Sequence, residues 1–547
     1  MTKLTLTEHR AFWAAIAVIT IFVYLFGLGV PLLGPDEPRY AQVAREMFDR
    51  GDWITPTLGG FNWFEKPSLL YWLQIVFYNL FGVSEYSARL GSALFGLGTV
   101  ASLWFLGRQA EIEIRSSQIG TEPRFFGKNL PDFLVDRLSG WFALIAASSL
   151  GLFAFARGAS FDIILTFPIA ASLVCFYIFD SRSRIAETSD SRDLPAERRD
   201  IPRHGRGSLY LLIPLAGFYF FMGLALLAKG LIGAVFPLGI VGTYFLLSRR
   251  LPSRRFLLSL LWGGVFASGV ASVWYLPMYL RHGWEFIDQF FVQHHFQRYT
   301  SNKYRHPQPF HFFYWVLPLM TIPWLPFFAV GVWKAAIAGF KRISGRTRGN
   351  PETRQETNPF DRILLFAACW MAFPLAFFTF SGSKLPGYIL PALPGAVTFT
   401  ALFVVRTIGK NKPRQKWLKL LGVATFVVYF CILVFALPRY SDTDTVKGLM
   451  ASAAEQGHLN EKVIMFRSIS HSAEFYAAGR LVRVEDGNQR LFMEPEEVRQ
   501  QIEQLGEDGL LVLLPLRFID ELRNSPLLSV ELIRDNGYIA IVHVRRA

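Results

Sequence analysis

"AFWAAIAVITIFVYLFGLGVPLL", residues 11–33, carries no charge, and "GPDEPRYAQVAREM", residues 34–47, follows it directly. A helix needs ~20 apolar residues to cross ~30 Å of hydrocarbon, and the first stretch has that length. The second presents Asp36, Glu37, Arg39 and Tyr40 almost at once. A local reading makes Asp36 the N-cap of a short helix with Pro38 in its first turn, worth ~1 kcal/mol. A chemical reading places a carboxylate and a guanidinium at a membrane surface where a reaction occurs. The rest of the chain decides between them.

Of 547 residues, 52% are hydrophobic and 18% charged. Eleven long apolar runs recur, at roughly 11–30, 88–108, 138–156, 161–180, 210–228, 231–248, 256–280, 311–333, 362–380, 386–405 and 417–437. They are apolar all round, whereas helices of a soluble core would be striped. The expected fold class is a polytopic α-helical membrane protein. It has eleven spans on this count, and twelve or thirteen if kinked or short helices add to it.

The net charge of +14 does not indicate a nucleic-acid partner, because of where the charges fall. They cluster in alternate loops: Arg249, Arg250, Arg254 and Arg255; Lys341, Arg342, Arg346 and Arg348; Arg406, Lys410, Lys412, Arg414 and Lys416; and the Arg-rich loop 181–209. The positive-inside rule makes these cytoplasmic. The N-terminus is then inside and, with an odd helix count, the C-terminus outside. The first run lacks a small-residue cleavage site and reads as a retained helix. Cys175, Cys369 and Cys431 all fall in apolar runs, so neither a disulfide nor a cysteine metal cluster is expected.

This topology assigns to the outer side the segment 31–87, short turns near 157–161 and Lys229, the loop 281–310, "SGSKLPGY" at 381–388, and the tail from 438. In the first, residues 38–50 and 67–82 read as helices along the interface, with Trp63, Tyr71, Trp72 and Tyr78 as headgroup anchors. In the tail, "KVIMF", "RLVRV", "GLLVLLP" and "YIAIVHV" read as strands, and "EPEEVRQQIEQL" and "RFIDELRN" as helices. The expected domains are therefore a transmembrane domain, 1–437, and a small outer α/β domain, 438–547.

Asp-Glu then Arg-Tyr in the first outer loop, then "FEKP" and later "SKLPGYILP", resemble the GT-C glycosyltransferases that use polyprenyl-phosphate sugars. Within that class the resemblance, which covers the whole chain, is to the bacterial lipid A aminoarabinose transferases. It implies a multi-pass enzyme of the bacterial inner membrane, acting as a monomer, with its site and C-terminal domain in the periplasm. It implies transfer of 4-amino-4-deoxy-L-arabinose from undecaprenyl phosphate to lipid A phosphates, giving polymyxin resistance. The alternative is another polyprenyl-linked sugar moved to a protein or glycan hydroxyl. A transporter would instead show internal repeats and broken helices near the midplane.

The resemblance makes Asp36 the essential carboxylate. Glu37, Arg39, Tyr40 and Asp162 are supporting groups, although Glu37 also reads as a solvent contact and Asp162 equally as part of an ion network with Arg157 and Lys229. Lys66, Lys229, Arg298, Lys384 and Tyr388 are candidates for donor or acceptor phosphate, with snorkelling as the bland reading of Lys229 and Lys384. No cofactor is required. A divalent cation (Zn, or Mg or Mn) near Glu65, joined by His294 and His295, is the one metal option, on a weak ligand pattern. Asp36 reads either as a base for the last acceptor proton or as a stabiliser of positive charge at the anomeric carbon, with inversion as the simplest outcome. These residues are expected to line one outer-facing cavity.

Overall fold

The structure, a computed structural model, describes residues 3–117, 124–125, 128–129, 138–190, 208–297, 308–343, 358–408, 411–485 and 487–547. The chain divides into two compact units. One comprises Met1–Leu25, Ser92–Arg157 and Phe161–Val428; the other comprises Phe26–Gly91, Gly158–Ser160 and Tyr429–Ala547.

The first unit is helical. Among the described residues, seven helices are long and apolar enough to cross a membrane, and the bent pair Leu138–Ala147 and Leu150–Ala156 makes eight. Three shorter apolar segments, Arg10–Leu25, Ile232–Ser248 and Leu325–Ala338, coincide with further runs expected to span. The run 138–156 is not one straight helix but turns by 61°. The break leaves backbone groups that hydrocarbon cannot satisfy. They are taken up internally: Leu150 N donates to Ile322 O at 2.8 Å, and the Ser148 and Ser149 hydroxyls donate to the Leu144 and Ile145 carbonyls, each at 2.6 Å. Trp324 Nε1 donates to Ser148 Oγ at 2.9 Å. Two short antiparallel strands, β3 (Arg124–Phe125) and β4 (Lys128–Asn129), fall in chain order between the helices Glu85–Ser117 and Leu138–Ala147.

The second unit joins the first loop to the C-terminal domain. The helix Asp36–Arg50 buries Tyr40, Val43, Ala44 and Met47, and it packs on the helix Leu69–Phe81. Tyr71 and Tyr78, expected as headgroup anchors, are fully buried; Tyr78 donates to Ala41 O at 3.2 Å. The exposed large apolar side chains of that helix are instead Val76, Leu80 and Phe81. Glu46 shapes the turn between β1 (Thr57–Leu58) and β2 (Phe61–Asn62). It accepts from Thr57 Oγ1 at 2.7 Å and from Gly59 N at 2.6 Å. Gly59 has φ +62°, and a Cβ there would lie 1.9 Å from Arg483 Nε, so only glycine fits.

The C-terminal sheet contains β5 (Val463–Phe466), β6 (Leu491–Phe492), β7 (Gly509–Pro515), β8 (Leu528–Asp535) and β9 (Ile539–Arg546), in the order β6-β5-β7-β9-β8. β5 and β7 are unbroken apolar runs because both faces of the sheet are covered. Ile464, Val512, Leu514, Val542 and Val544 pack with Val498 and Ile502 of the helix Pro495–Leu505. Met465, Leu511, Leu513 and Ile541 pack with Leu449 and Ala453 of the helix Lys447–Glu455 on the other face. Pro495 at N1, a Glu494–Glu497 capping box and Gly506 in the left-handed conformation bound the first of these helices. "RLVRV" is not a strand; Leu481 and Arg483 make only isolated bridges.

Candidate active site

Asp36 is the first residue of its helix, not its N-cap. Pro35 holds the cap position, and no side chain caps it. The Asp36 carboxylate instead accepts from Arg39 Nη2 at 2.6 Å, three residues along one helix face. Its side chain is 51% exposed. The Arg39 guanidinium lies over the Trp63 ring at 5.5 Å and the Tyr40 ring at 5.9 Å. Its Nε is buried without a hydrogen-bond partner. Burial works against the Arg39 charge, but Glu65, Tyr40 and Asp36 outweigh it and raise its pKa. Burial, with Glu65 and Asp36, pushes the Tyr40 hydroxyl well above the usual tyrosine value, so it is a neutral donor. Lys66 Nζ donates to Glu65 Oε1 at 2.8 Å, with both side chains nearly buried. Asp36, Arg39, Tyr40 and Glu65 thus form one electrostatic group in the second unit, and Lys66 joins it through Glu65.

Glu37 faces away from solvent and organises the loop. Its carboxylate accepts from Leu33 N at 2.9 Å, Ala159 N at 2.8 Å and Arg89 Nη2 at 2.5 Å. A Cβ on Gly158 would lie 2.7 Å from Glu37 Oε1, which fixes glycine there.

The first unit carries a separate charged group. Asp162, in the first turn of the helix Phe161–Asp190, pairs with Lys229 at the end of the helix Ser208–Lys229. Lys229 Nζ also sits 4.8 Å from the centroid of the Tyr388 ring. Gly387 allows this approach, since a Cβ there would lie 1.8 Å from Asp162 Oδ2. Arg157 donates to Val23 O at 2.8 Å and Tyr24 O at 3.2 Å. Lys384 is 7% exposed and donates to Ser381 O at 2.8 Å and Gln308 O at 3.4 Å. Both acceptors are neutral carbonyls.

Arg298 lies outside the described residues, as do the side chains of His294 and His295; the backbone of these two histidines belongs to a π-helical segment, Asp288–Gln297. Among the described residues, Glu65 is not part of any cluster of three metal-ligating side chains, and its carboxylate pairs with Lys66 Nζ at 2.8 Å.

Two groups have no motif in the sequence. Arg89 is 1% exposed and donates to the Leu28, Val30 and Pro31 carbonyls as well as to Glu37. His471 lines a cavity of about 320 Å³ within the second unit, together with Gly34, Pro35, Asp444, Ser470 and Ser472. Burial and the nearby Arg39 charge lower the His471 pKa. Its signal is electrostatic coupling to Arg39 and Asp36, which only the folded chain provides.

A profile of the dolichyl-phosphate-mannose-protein mannosyltransferase family matches residues 12–120. An undecaprenyl phosphate-alpha-4-amino-4-deoxy-L-arabinose arabinosyl transferase of Aeromonas salmonicida is 27% identical over 79% of this chain and 67% of its own. One of Sodalis glossinidius is 30% identical over 69% of this chain and 56% of its own. Crystal structures of ArnT from Cupriavidus metallidurans share the fold over 98% of both chains. The TM-score is 0.68 at 19% identity for the apo state, and 0.65 at 20% identity for the state bound to undecaprenyl phosphate.

Proposed function

We infer that this chain, an ArnT-like glycosyltransferase of the GT-C class, transfers 4-amino-4-deoxy-L-arabinose from undecaprenyl phosphate to a lipid A phosphate. The observation that carries the chemistry is Asp36: a half-exposed carboxylate that caps nothing and is held by Arg39 at 2.6 Å.

In the reaction, an acceptor phosphate oxygen attacks the anomeric carbon, and the bond from that carbon to the donor phosphate oxygen breaks. The electron pair leaves with the lipid phosphate. That departing charge needs cations already in place, because preorganised charges cost no rearrangement during the reaction. Lys66 supplies one. Arg39 offers another donor, its unsatisfied Nε. Taken by itself in the first unit, Lys384 donates to two neutral carbonyls, and its charge suits it to bind a lipid phosphate.

A phosphate acceptor needs little base catalysis, since its second pKa is ~6. The assigned role of Asp36 is therefore electrostatic: it offsets positive charge at the anomeric carbon as the bond breaks. Single displacement with inversion follows from direct attack.

The clustered basic loops favour a cytoplasmic N-terminus and a periplasmic C-terminal domain in the bacterial inner membrane. The activity is tested with purified protein, undecaprenyl-phosphate-linked aminoarabinose, and either lipid A or a hydroxyl acceptor. Transfer to lipid A alone supports the proposal. Transfer only to the hydroxyl acceptor replaces it with the alternative reading.

A further inference from the structure

The C-terminal domain holds a second constellation that sugar transfer does not use. His458 and Glu461 lie in the loop between the helix Lys447–Glu455 and β5, and His543 lies on β9. His458 Nδ1 is 2.7 Å from Glu461 Oε1, and His543 Nε2 is 3.2 Å from Glu461 Oε2. The two imidazole rings stack at 4.2 Å. One ligand atom from each residue falls within 4.8 Å of the other two. We propose that His458, Glu461 and His543 bind a divalent transition-metal ion of the zinc class, which clips the loop before β5 to the strand β9.

Three observations support the site. First, a simple hydrogen-bonded staple leaves it incomplete. Glu461 Oε2 and His543 Nε2 are both buried and lack a hydrogen-bond partner, because their 3.2 Å approach does not have hydrogen-bond geometry. Leaving two buried polar atoms unsatisfied is costly, and a cation between them satisfies both. Zinc bonds to nitrogen and carboxylate oxygen are ~2.0–2.2 Å, which sets tetrahedral ligand atoms about 3.4 Å apart. The atoms already present need to move by only small amounts.

Second, the ligands are held in place. His543 is 3% exposed and pairs across the sheet with Leu511 and Glu531. A Cβ on Gly509 would lie 2.5 Å from His543 Nε2, so glycine leaves room for that nitrogen. Arg480 Nη1 donates to the His458 and Glu461 carbonyls at 3.2 and 3.4 Å, pinning the loop that carries both. Fixing ligands in advance lowers the cost of binding.

Third, the chemistry is selective. Two imidazoles and one carboxylate suit zinc and its neighbours, whereas magnesium and calcium prefer oxygen ligands throughout. A water, or the exposed Glu531 on the same face, takes the fourth position.

The test uses the full chain in detergent, stripped with chelator and titrated with zinc chloride. Bound zinc is measured by elemental analysis and thermal stability in parallel. Wild type is expected to bind zinc and to melt higher with it. His458→Gln and Glu461→Gln should weaken binding by at least ~10–100-fold, the scale that even outer-shell losses reach. Glu65→Gln separates this site from any metal held near Glu65 and should retain this zinc. If wild type binds no zinc, or if both loop variants bind it as tightly as wild type, the proposal is wrong. If either loop variant fails to fold, the absorption spectrum of Co²⁺-loaded Glu65→Gln decides. A tetrahedral spectrum supports the site, and an octahedral one overturns it.

Discussion

Arg89 Nη2 donates to Glu37 Oε2 at 2.5 Å, with the arginine side chain 2% exposed and the glutamate 14%. The same guanidinium satisfies three carbonyls of the segment 28–31, and the same carboxylate satisfies two backbone amides. This pair ties the first loop to the start of the helix Glu85–Ser117. Breaking a buried pair by removing one partner costs ~3–5 kcal/mol, because a charge is stranded. Glu37→Ala is therefore expected to lower the thermal midpoint in detergent and the yield of folded protein. A Glu37→Ala protein with normal stability and abolished turnover would place Glu37 in the chemistry instead.

Asp36→Asn is expected to behave in the opposite way. The carboxylate is half-exposed and caps nothing, and exposed ion pairs contribute only ~0–1 kcal/mol. The folded fraction should stay near wild type while transfer falls by several orders of magnitude. Lys66→Ala should also cripple transfer. Circular dichroism and a single-turnover assay on the same preparation separate the two quantities. Wild-type transfer by folded Asp36→Asn would remove it from the mechanism.

Lys384→Gln keeps a donor for the Ser381 carbonyl but removes the charge. A hydrogen bond to a charged group contributes ~1.5–3 kcal/mol, so the KM for a lipid-phosphate substrate should rise by about ten- to a hundredfold. An unchanged KM would show that Lys384 only braces its own loop.

How much of this was legible in the chain differs by element. The helices follow from apolar runs that have no other use. β8 was not legible: it is an edge strand with mostly exposed residues, and Glu531, Arg534 and Asp535 break any alternation. "RLVRV" alternates like a strand, but Arg483 is drawn into a 2.5 Å pair with Glu474 and the segment makes only isolated bridges. In the site, Asp36 and Arg39 could be paired from their spacing. Glu37 could not be read as structural, because its partners Arg89 and Ala159 lie 52 and 122 residues away. His471 belongs to no motif, and its link to Arg39 exists only in the fold.

The side of the membrane is open to labelling. Asn524 is exposed, at the end of the helix Ile519–Arg523 in the C-terminal domain. With a periplasmic domain, Asn524→Cys should react with an impermeant maleimide in intact spheroplasts. Reaction only after lysis would reverse the assigned orientation.

The most direct test of the central claim is mass spectrometry of lipid A from cells lacking this protein, complemented with either wild type or Asp36→Asn. Wild type is predicted to add one or two 4-amino-4-deoxy-arabinose units to lipid A phosphates, and Asp36→Asn none at equal membrane abundance. Identical lipid A profiles with and without the wild-type protein, under conditions where the lipid-linked donor is present, would contradict the account.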